Sequence, residues 1–265
     1  MVGIGGAARL NELVHSELPK TYVAKGLLGI EKDTGDLEGK TTQEDQSPYL
    51  TQTISQFEIA FIQNLLREKY LGTYWQAPHV FSAAKYEGRP LHEWAREGVI
   101  IKKEKVERFI HSIEVVSFDF PHLTIRVKVS SGTYVRTLFS EMANTLGTIG
   151  HLVELLREEV GAIHCQQSLQ PEQWVQRGDS IESILTKTIA PESVLPFPKL
   201  VLRDDQLKSF MNGVPLTCEE PAGSRVWVIH PQGELMGLAK LDNGHWKTEI
   251  NFAAAQASLQ ADRNP

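Results

Sequence analysis

The most regular hydrophobic pattern in the chain is a strict alternation of apolar and polar residues over positions 123–129. Successive side chains of a strand point to opposite faces, so this pattern predicts a β-strand with one buried and one solvated face. From Val135 to Leu146 the apolar residues instead recur at three- and four-residue steps, which predicts a helix. A strand, a Ser-Ser-Gly turn and a helix therefore follow one another, an arrangement that often positions site residues.

The remaining pattern divides the chain into two parts. A second helix is predicted over residues 54–69, where an apolar stripe has helical spacing. Three prolines then interrupt all periodicity between positions 191 and 198. Beyond them the pattern predicts three short strands, at 225–229, 234–241 and 245–252. Asn243-Gly244, between the last two, is a strong hairpin signal.

These patterns predict an α+β (mixed α/β) protein with a small C-terminal β module. The predicted boundaries are a first domain over residues 1–185, a linker over 186–199, a β module over 200–253 and a flexible tail over 254–265.

Composition excludes several protein classes. The 265 residues are 41% hydrophobic and 23% charged, which are ordinary globular values. The net charge of −6 argues against a simple polycation that coats nucleic acid. We expect no membrane span, because no apolar run approaches about 18 residues, and no signal peptide. Cys165 and Cys218 are expected to be reduced thiols, which suits a cytoplasmic protein.

Two local motifs have simpler explanations than the chemistry they suggest. The segment 3–8 fits a dinucleotide-binding fingerprint, but no strand can precede it in these residues. Asp33-Thr34-Gly35 matches the aspartic-protease triplet, whose chemistry needs two carboxylates, and the triplet occurs once. No two histidines lie closer than His111 and His122, so no local metal-ligand pair is present in the sequence.

Four groups of motifs occur in order along the chain. They are Lys20-Thr21-Tyr22 with Asp33-Thr34-Gly35-Asp36; Gln76-Ala77-Pro78 with Ser82-Ala83-Ala84-Lys85; Ser130-Ser131-Gly132-Thr133-Tyr134-Val135-Arg136; and Leu146-Gly147, His151-Leu152 and Leu155-Leu156-Arg157. Together they resemble the TruB family of tRNA pseudouridine synthases over about residues 3–165. The C-terminal β module resembles, more weakly, the PUA-type RNA-binding domain of that family.

The resemblance implies a pseudouridine-synthase-like core with a largely antiparallel sheet flanked by helices. It also implies isomerisation of one tRNA T-loop uridine to pseudouridine, with no cofactor and no metal. The expected partner is the T-arm of tRNA, bound by a cytoplasmic monomer. A base must leave its stack before such chemistry, and an aromatic side chain can stack on it.

The resemblance also implies roles for individual residues. Tyr22 matches the stacking tyrosine, and Tyr134 matches a tyrosine that lies against the base and is proposed to assist proton transfer from C5. Arg136 matches the arginine that pairs with the catalytic carboxylate, as a guanidinium can do bidentately. Further substrate contacts are expected from Leu155 under the uracil and from three basic residues: Lys20, Lys85 and Arg157.

One expected element is absent from these residues. The nucleophile of the family is an aspartate in a Gly-x-Leu-Asp-Pro-like segment, expected just before Gly3-Ile4-Gly5, and the 265 residues do not contain that segment. We therefore expect Arg136 to have no acidic partner in this chain, and the chain as given to be an inactive fragment. The alternatives are a non-catalytic RNA-binding protein and a remnant that misfolds. Leu156, Glu158 and Glu159 also depart from the family pattern and are expected to reduce positive charge beside the RNA.

Overall fold

The computed structural model describes residues 3–168, 188–217 and 223–252. The helices are α1 Asn11–Glu17, α2 Pro48–Gln52, α3 Ile59–Tyr70, α4 Leu91–Arg96, α5 Val135–Thr145, α6 Pro191–Val194 and α7 Asp204–Met211, with short 3-10 helices at Gly5–Leu10, Ile54–Gln56 and Cys165–Gln167. The strands are β1 Lys20–Leu28, β2 Ile30–Lys32, β3 Thr41–Glu44, β4 Gly72–Gln76, β5 Lys85–Tyr86, β6 Arg89–Pro90, β7 Val106–Asp119, β8 His122–Val129, β9 Gly150–Val160, β10 Ile163–His164, β11 Lys199–Val201, β12 Leu216–Thr217, β13 Arg225–Ile229, β14 Leu235–Asp242 and β15 His245–Asn251.

The chain forms two compact units. One is Leu18–Leu169, and the other joins Met1–Glu17 to Gln170–Pro265. In the described part of the first unit, six strands form one sheet in the order β10-β9-β1-β8-β7-β4, and every neighbouring pair is antiparallel. The expected α+β class with a largely antiparallel sheet is confirmed.

Strand β8 confirms the alternation seen in the sequence. Its residues 123, 125, 127 and 129 are buried, and the residues between them are partly exposed. The buried face joins α3 and α5 in one hydrophobic cluster, and we refer to it as the covered face of the sheet. The opposite face carries polar and charged side chains, among them Lys25, Arg126 and Glu154. Burial on a single side is what the alternation requires.

Helix α5 packs across the covered face at a point where the sheet has no side chain. Gly26 lies on β1, and a Cβ atom at this position would overlap the ring of Phe139 from α5. Phe139 is fully buried as a result of this close approach. Ser140 adds a hydrogen bond from its hydroxyl to the Gly150 carbonyl on β9, at 3.0 Å. The glycine thus sets how close α5, and the residues at its start, lie to the sheet.

The predicted helix over 54–69 is wrong at its first turn. A 3-10 turn over Ile54–Gln56 ends at Phe57, and Phe57 and Glu58 both have extended backbone before α3 begins. The break allows Ile54 to be fully buried while the Phe57 ring packs 4.7 Å from that of Phe61. Periodicity alone did not locate this break, because its apolar positions keep helical spacing on both sides.

The second unit contains the predicted β module. Its described strands have the order β11-β13-β14-β15-β12, and the three strands predicted from sequence are confirmed as β13, β14 and β15. Asn243 and Gly244 have φ of 49° and 77°, the backbone of a type I′ hairpin turn. Trp227 and Trp246 are fully buried in the module.

The N-terminal helix α1 belongs to the second unit. Arg225 on β13 pairs with Glu17 at 3.1 Å and with Glu249 at 2.7 Å, and Arg9 donates to the Asn251 carbonyl. Residues 1–17 were expected to belong to the first domain. The predicted domain boundary at 185, Cys218 and the predicted tail over 254–265 lie outside the described residues.

Candidate active site

The covered face opens to solvent beside the middle of β9. Tyr22 on β1 pairs with Val127 on β8 and with Arg157 on β9. Directly paired residues share a face, and Val127 is fully buried, so Tyr22 and Arg157 lie on the covered face. Leu155 lies on the same face, opposite Ala24, yet is 47% exposed. The structure therefore places Tyr22, Leu155 and Arg157 together beside an uncovered stretch of sheet.

Lys20 is the first residue of β1, two positions before Tyr22, and it is buried. Its ammonium donates to the Leu18 carbonyl at 2.9 Å. Burial lowers the pKa of Lys20, and the charge of Arg157 lowers it further. Direct contact between this ammonium and RNA, as expected from the sequence, stays a prediction. Lys20 pairs with Val129, the residue directly before the 130–134 loop.

This loop leads into α5, the helix that carries Arg136 and packs on the covered face of the sheet. Tyr134 precedes the first residue of α5 and has extended backbone, and Arg136 lies in the first turn. The Ser130 hydroxyl accepts a hydrogen bond from the Phe109 amide at 2.8 Å, and the Thr133 hydroxyl donates to the Ser130 carbonyl at 2.9 Å. Tyr134 is further held through its peptide by the side chain of Gln76. The loop is thus fixed from several sides.

Arg136 forms an ion pair with Asp36, which corrects the expectation that no acidic partner exists in this chain. Nη1 of Arg136 lies 2.5 Å from Oδ2 of Asp36 and 3.3 Å from the Thr34 carbonyl. Asp36 belongs to the loop between β2 and β3, 100 residues away in sequence. In the described part of the chain, these bonds use one nitrogen of the guanidinium. Nε and Nη2 remain for a second acid or a phosphate.

Asp36 is held as a carboxylate by donors on every side. Burial opposes its ionisation, but hydrogen bonds from Thr34 and Arg136, the Arg136 charge and the Glu38 amide outweigh burial, so the pKa of Asp36 lies below its usual value. Oδ1 accepts from the Thr34 hydroxyl at 2.5 Å and from the Glu38 amide at 3.2 Å. A carboxylate with both oxygens engaged is a weak nucleophile and a good anchor for a guanidinium.

His79 is a further polar group near this ion pair. Its Nδ1 accepts a hydrogen bond from the Phe81 amide at 3.1 Å, so the neutral ring carries its proton on Nε2. Burial lowers the pKa of His79, the charge of Arg136 lowers it again, and Asp36 and Asp33 act in the opposite direction. His79 is therefore a neutral hydrogen-bond donor at neutral pH.

The basic residues around position 85 form a more exposed group. Lys85 is exposed on β5, and its carbonyl accepts from the Lys103 ammonium at 2.8 Å. Arg89 pairs with Glu93 and Glu97 and lies over the ring of Trp94. RNA contact by Lys85 stays a prediction.

Glu158 and Glu159, expected beside the RNA, direct their carboxylates elsewhere. Glu158 pairs with Arg126 at 2.9 Å, and Glu159 accepts from the Thr21 hydroxyl at 2.7 Å. Arg126 and Thr21 both lie on the face opposite Tyr22, because their neighbours along each strand lie on the covered face. The carboxylates of both glutamates therefore bind groups on the face of the sheet opposite the candidate site.

In the part of the chain that the structure describes, no three His, Cys, Asp or Glu side chains are grouped so as to hold a metal ion. No helix there is long and apolar enough to cross a membrane. The expectations that neither metal nor cofactor is needed stay predictions.

Sequence reasoning missed the contributions of Asp36 and Gln76. Both lie in motifs that were recognised, Asp33-Thr34-Gly35-Asp36 and Gln76-Ala77-Pro78. A signal was therefore present for both residues, in motifs to which no role was given. What each side chain contacts depends on long-range folding, which spacing does not show.

Comparison with protein-family models places the first half of the chain in a described family. The model for the TruB family pseudouridylate synthase (N terminal domain) matches residues 1–135. The chain is also similar to proteins named tRNA pseudouridine synthase B. That of Francisella tularensis subsp. novicida is 36% identical over 225 residues, which cover 85% of this chain and 72% of the relative. That of Neisseria gonorrhoeae is 31% identical over 243 residues, covering 90% and 75%.

Solved structures share the fold at lower sequence identity. The structure described as a Cbf5-Nop10-Gar1 complex has a TM-score of 0.63 and 19% identity, and the match covers 93% of this chain and 70% of that chain. An H/ACA RNP bound to a substrate RNA containing 2′-deoxyuridine has a TM-score of 0.59 and 18% identity, with 93% and 69% covered. These similarities support the same fold.

Proposed function

The chain belongs to the TruB family of pseudouridylate synthases, and we propose that its site binds the T-arm of tRNA and receives one unstacked T-loop uridine. The observation that carries this proposal is that α5, packed on the sheet face that carries Tyr22, has Tyr134 directly before its first residue and the Arg136–Asp36 pair in its first turn. The relatives named tRNA pseudouridine synthase B support tRNA as the substrate.

The two tyrosines suit an extruded pyrimidine. Removing a base from its stack costs a few kcal/mol. Stacking on an aromatic ring contributes about 1–3 kcal/mol per base and so offsets part of this cost. Tyr22 is half-buried against the core and so presents a rigid ring. Leu155, exposed on the same face, offers an apolar floor for the uracil, and Tyr134 closes the site from the start of α5.

Arg136 supplies positive charge in a fixed direction. Asp36 and the Thr34 carbonyl hold Nη1, which leaves Nε and Nη2 to bind an oxygen pair. A catalytic carboxylate and an RNA phosphate are both suitable ligands for that pair. In the family reaction the N1–C1′ bond of uridine breaks, a C5–C1′ bond forms, the hydrogen on C5 leaves as a proton and N1 takes up a proton.

For the 265-residue chain itself we propose RNA binding without turnover. The Gly-x-Leu-Asp-Pro segment that carries the family nucleophile is not among these residues. Asp36 does not replace it, because its oxygens already accept bonds from Thr34, Glu38 and Arg136. Such a chain acts as a non-catalytic RNA-binding protein unless a carboxylate is supplied. We further propose that it is a cytoplasmic monomer that uses no cofactor.

A tritium-release assay tests this proposal. A T-arm hairpin whose uridines carry tritium on C5 loses label to water only where C5 forms a new bond. The 265-residue chain is expected to bind the hairpin and release no tritium. A chain extended at its N-terminus with the Gly-x-Leu-Asp-Pro segment of a TruB relative is expected to release it. Release by the unextended chain would refute the lack of turnover, and no binding would refute the site.

A further inference from the structure

The buried side chain of Gln76 hydrogen-bonds to both backbone polar groups of Tyr134. Gln76, at the end of β4, is 2% exposed. Its Oε1 accepts from the Tyr134 amide at 2.7 Å, and its Nε2 donates to the Tyr134 carbonyl at 3.0 Å. The amide side chain therefore pairs with both polar groups of one residue, as a neighbouring strand would. This contact fixes the backbone from which the Tyr134 ring projects.

The same amide is anchored on its other side. The second hydrogen of Nε2 bonds the Tyr74 hydroxyl at 3.1 Å, and that hydroxyl donates to the Glu141 carboxylate at 2.8 Å. Burial and the charge of Glu141 raise the pKa of Tyr74, so its hydroxyl keeps the proton that it donates. Glu141 lies on α5, as does Arg136. These hydrogen bonds therefore hold α5 at two places, at its start through Tyr134 and in its middle through Glu141.

We propose that Gln76 is a positioning residue for the RNA site: it sets Tyr134 against the unstacked base and holds the start of α5, from which Arg136 projects. The inference rests on the proposed function, since it gives Tyr134 a substrate to contact. A buried amide that pairs with a backbone can also serve the fold alone. The difference between the two roles is whether loss of the pairing changes the bound base or only the stability.

The chain offers a matched control for that difference. Gln63 on α3 also uses both ends of its amide to bond backbone, here of two residues: its Nε2 donates to the Ile113 carbonyl at 2.9 Å, and its Oε1 accepts from the Val115 amide at 2.7 Å. Both partners lie on β7, and no predicted site residue takes part. Gln63→Met therefore removes an equivalent pairing whose purpose is structural.

The experiment compares Gln76→Met with Gln63→Met in the full chain. The probe is a T-arm hairpin with 2-aminopurine next to the T-loop uridine, whose fluorescence rises when that uridine leaves the stack. Both variants are expected to lower the melting temperature. Gln76→Met is expected to raise the Kd about tenfold and to at least halve the fluorescence rise at saturation, since stacking is worth about 1–3 kcal/mol per base. Gln63→Met is expected to change both by less than twofold.

Each other outcome has a defined meaning. Wild-type Kd and amplitude in Gln76→Met, or equal losses in Gln63→Met, would overturn the inference. If Gln76→Met fails to fold, Tyr74→Phe removes the hydroxyl that anchors the amide and is expected to raise the Kd about threefold; an unchanged value would overturn the inference. If the wild-type chain neither binds nor brightens the probe, the proposed function itself fails, and the inference with it.

Discussion

Arg136→Met is expected to weaken binding of a T-arm hairpin by about 10- to 100-fold. Hydrogen bonds to charged groups contribute about 1.5–3 kcal/mol, and among the described residues only Nη1 of this side chain is bonded, which leaves Nε and Nη2 for the RNA. Loss of the guanidinium also leaves Asp36 as an unpaired carboxylate that repels phosphates. Equilibrium titration of a labelled hairpin at fixed salt measures the effect, because phosphate contacts depend strongly on salt.

Arg126→Met is the control for this prediction. Arg126 is also an ion-paired arginine on this sheet, bound to Glu114 and Glu158, but it lies on the opposite face. We expect its removal to change hairpin binding by less than threefold. Equal losses for the two variants would mean that the RNA senses only overall charge, and the assigned site would be wrong.

Phe139→Ala is expected to lower the free energy of unfolding by about 3–5 kcal/mol, the range for deleting a buried phenylalanine ring. The ring is fully buried between α5 and β1, directly over Gly26. Urea unfolding followed by circular dichroism measures the loss.

Gly26→Ala provides the coupled test of that packing. Its added methyl group overlaps the Phe139 ring, so alone it should destabilise by about 1–3 kcal/mol. In the Phe139→Ala background the methyl group enters the vacated space, and its cost should largely disappear. Strictly additive losses would show that the two positions do not share this contact.

Local pattern was enough to predict two helices and four strands of the described elements. The alternation over 123–129 fixed β8, and the change to helical spacing fixed α5, because each reports which side of an element is buried. Asn243-Gly244 predicted its hairpin because its backbone conformation suits those two residues. The break at Phe57 escaped prediction, since an extended pair of residues does not disturb the spacing of apolar positions.

The candidate site was predictable only where resemblance assigned a role. Tyr22, Tyr134 and Arg136 came from motifs, and the structure places Tyr22 on the sheet face against which α5 packs and the other two residues at the start of α5. The partner of Arg136 was not predictable, because Asp36 lies 100 residues away and reaches it through the packing of a loop on α5. The pairing of Gln76 with Tyr134, 58 residues apart, has the same origin. Side-chain contacts of this range follow from the tertiary fold.

Photocrosslinking locates the bound base on the protein and so tests the assigned site itself. A T-arm hairpin carries 4-thiouridine in place of the T-loop uridine, is bound to the full chain and irradiated, and the attached peptide is identified by mass spectrometry. We expect crosslinks to peptides that contain Tyr22, Tyr134 or Leu155. Crosslinks confined to residues 200–252, or to the sheet face that carries Arg126, would contradict it.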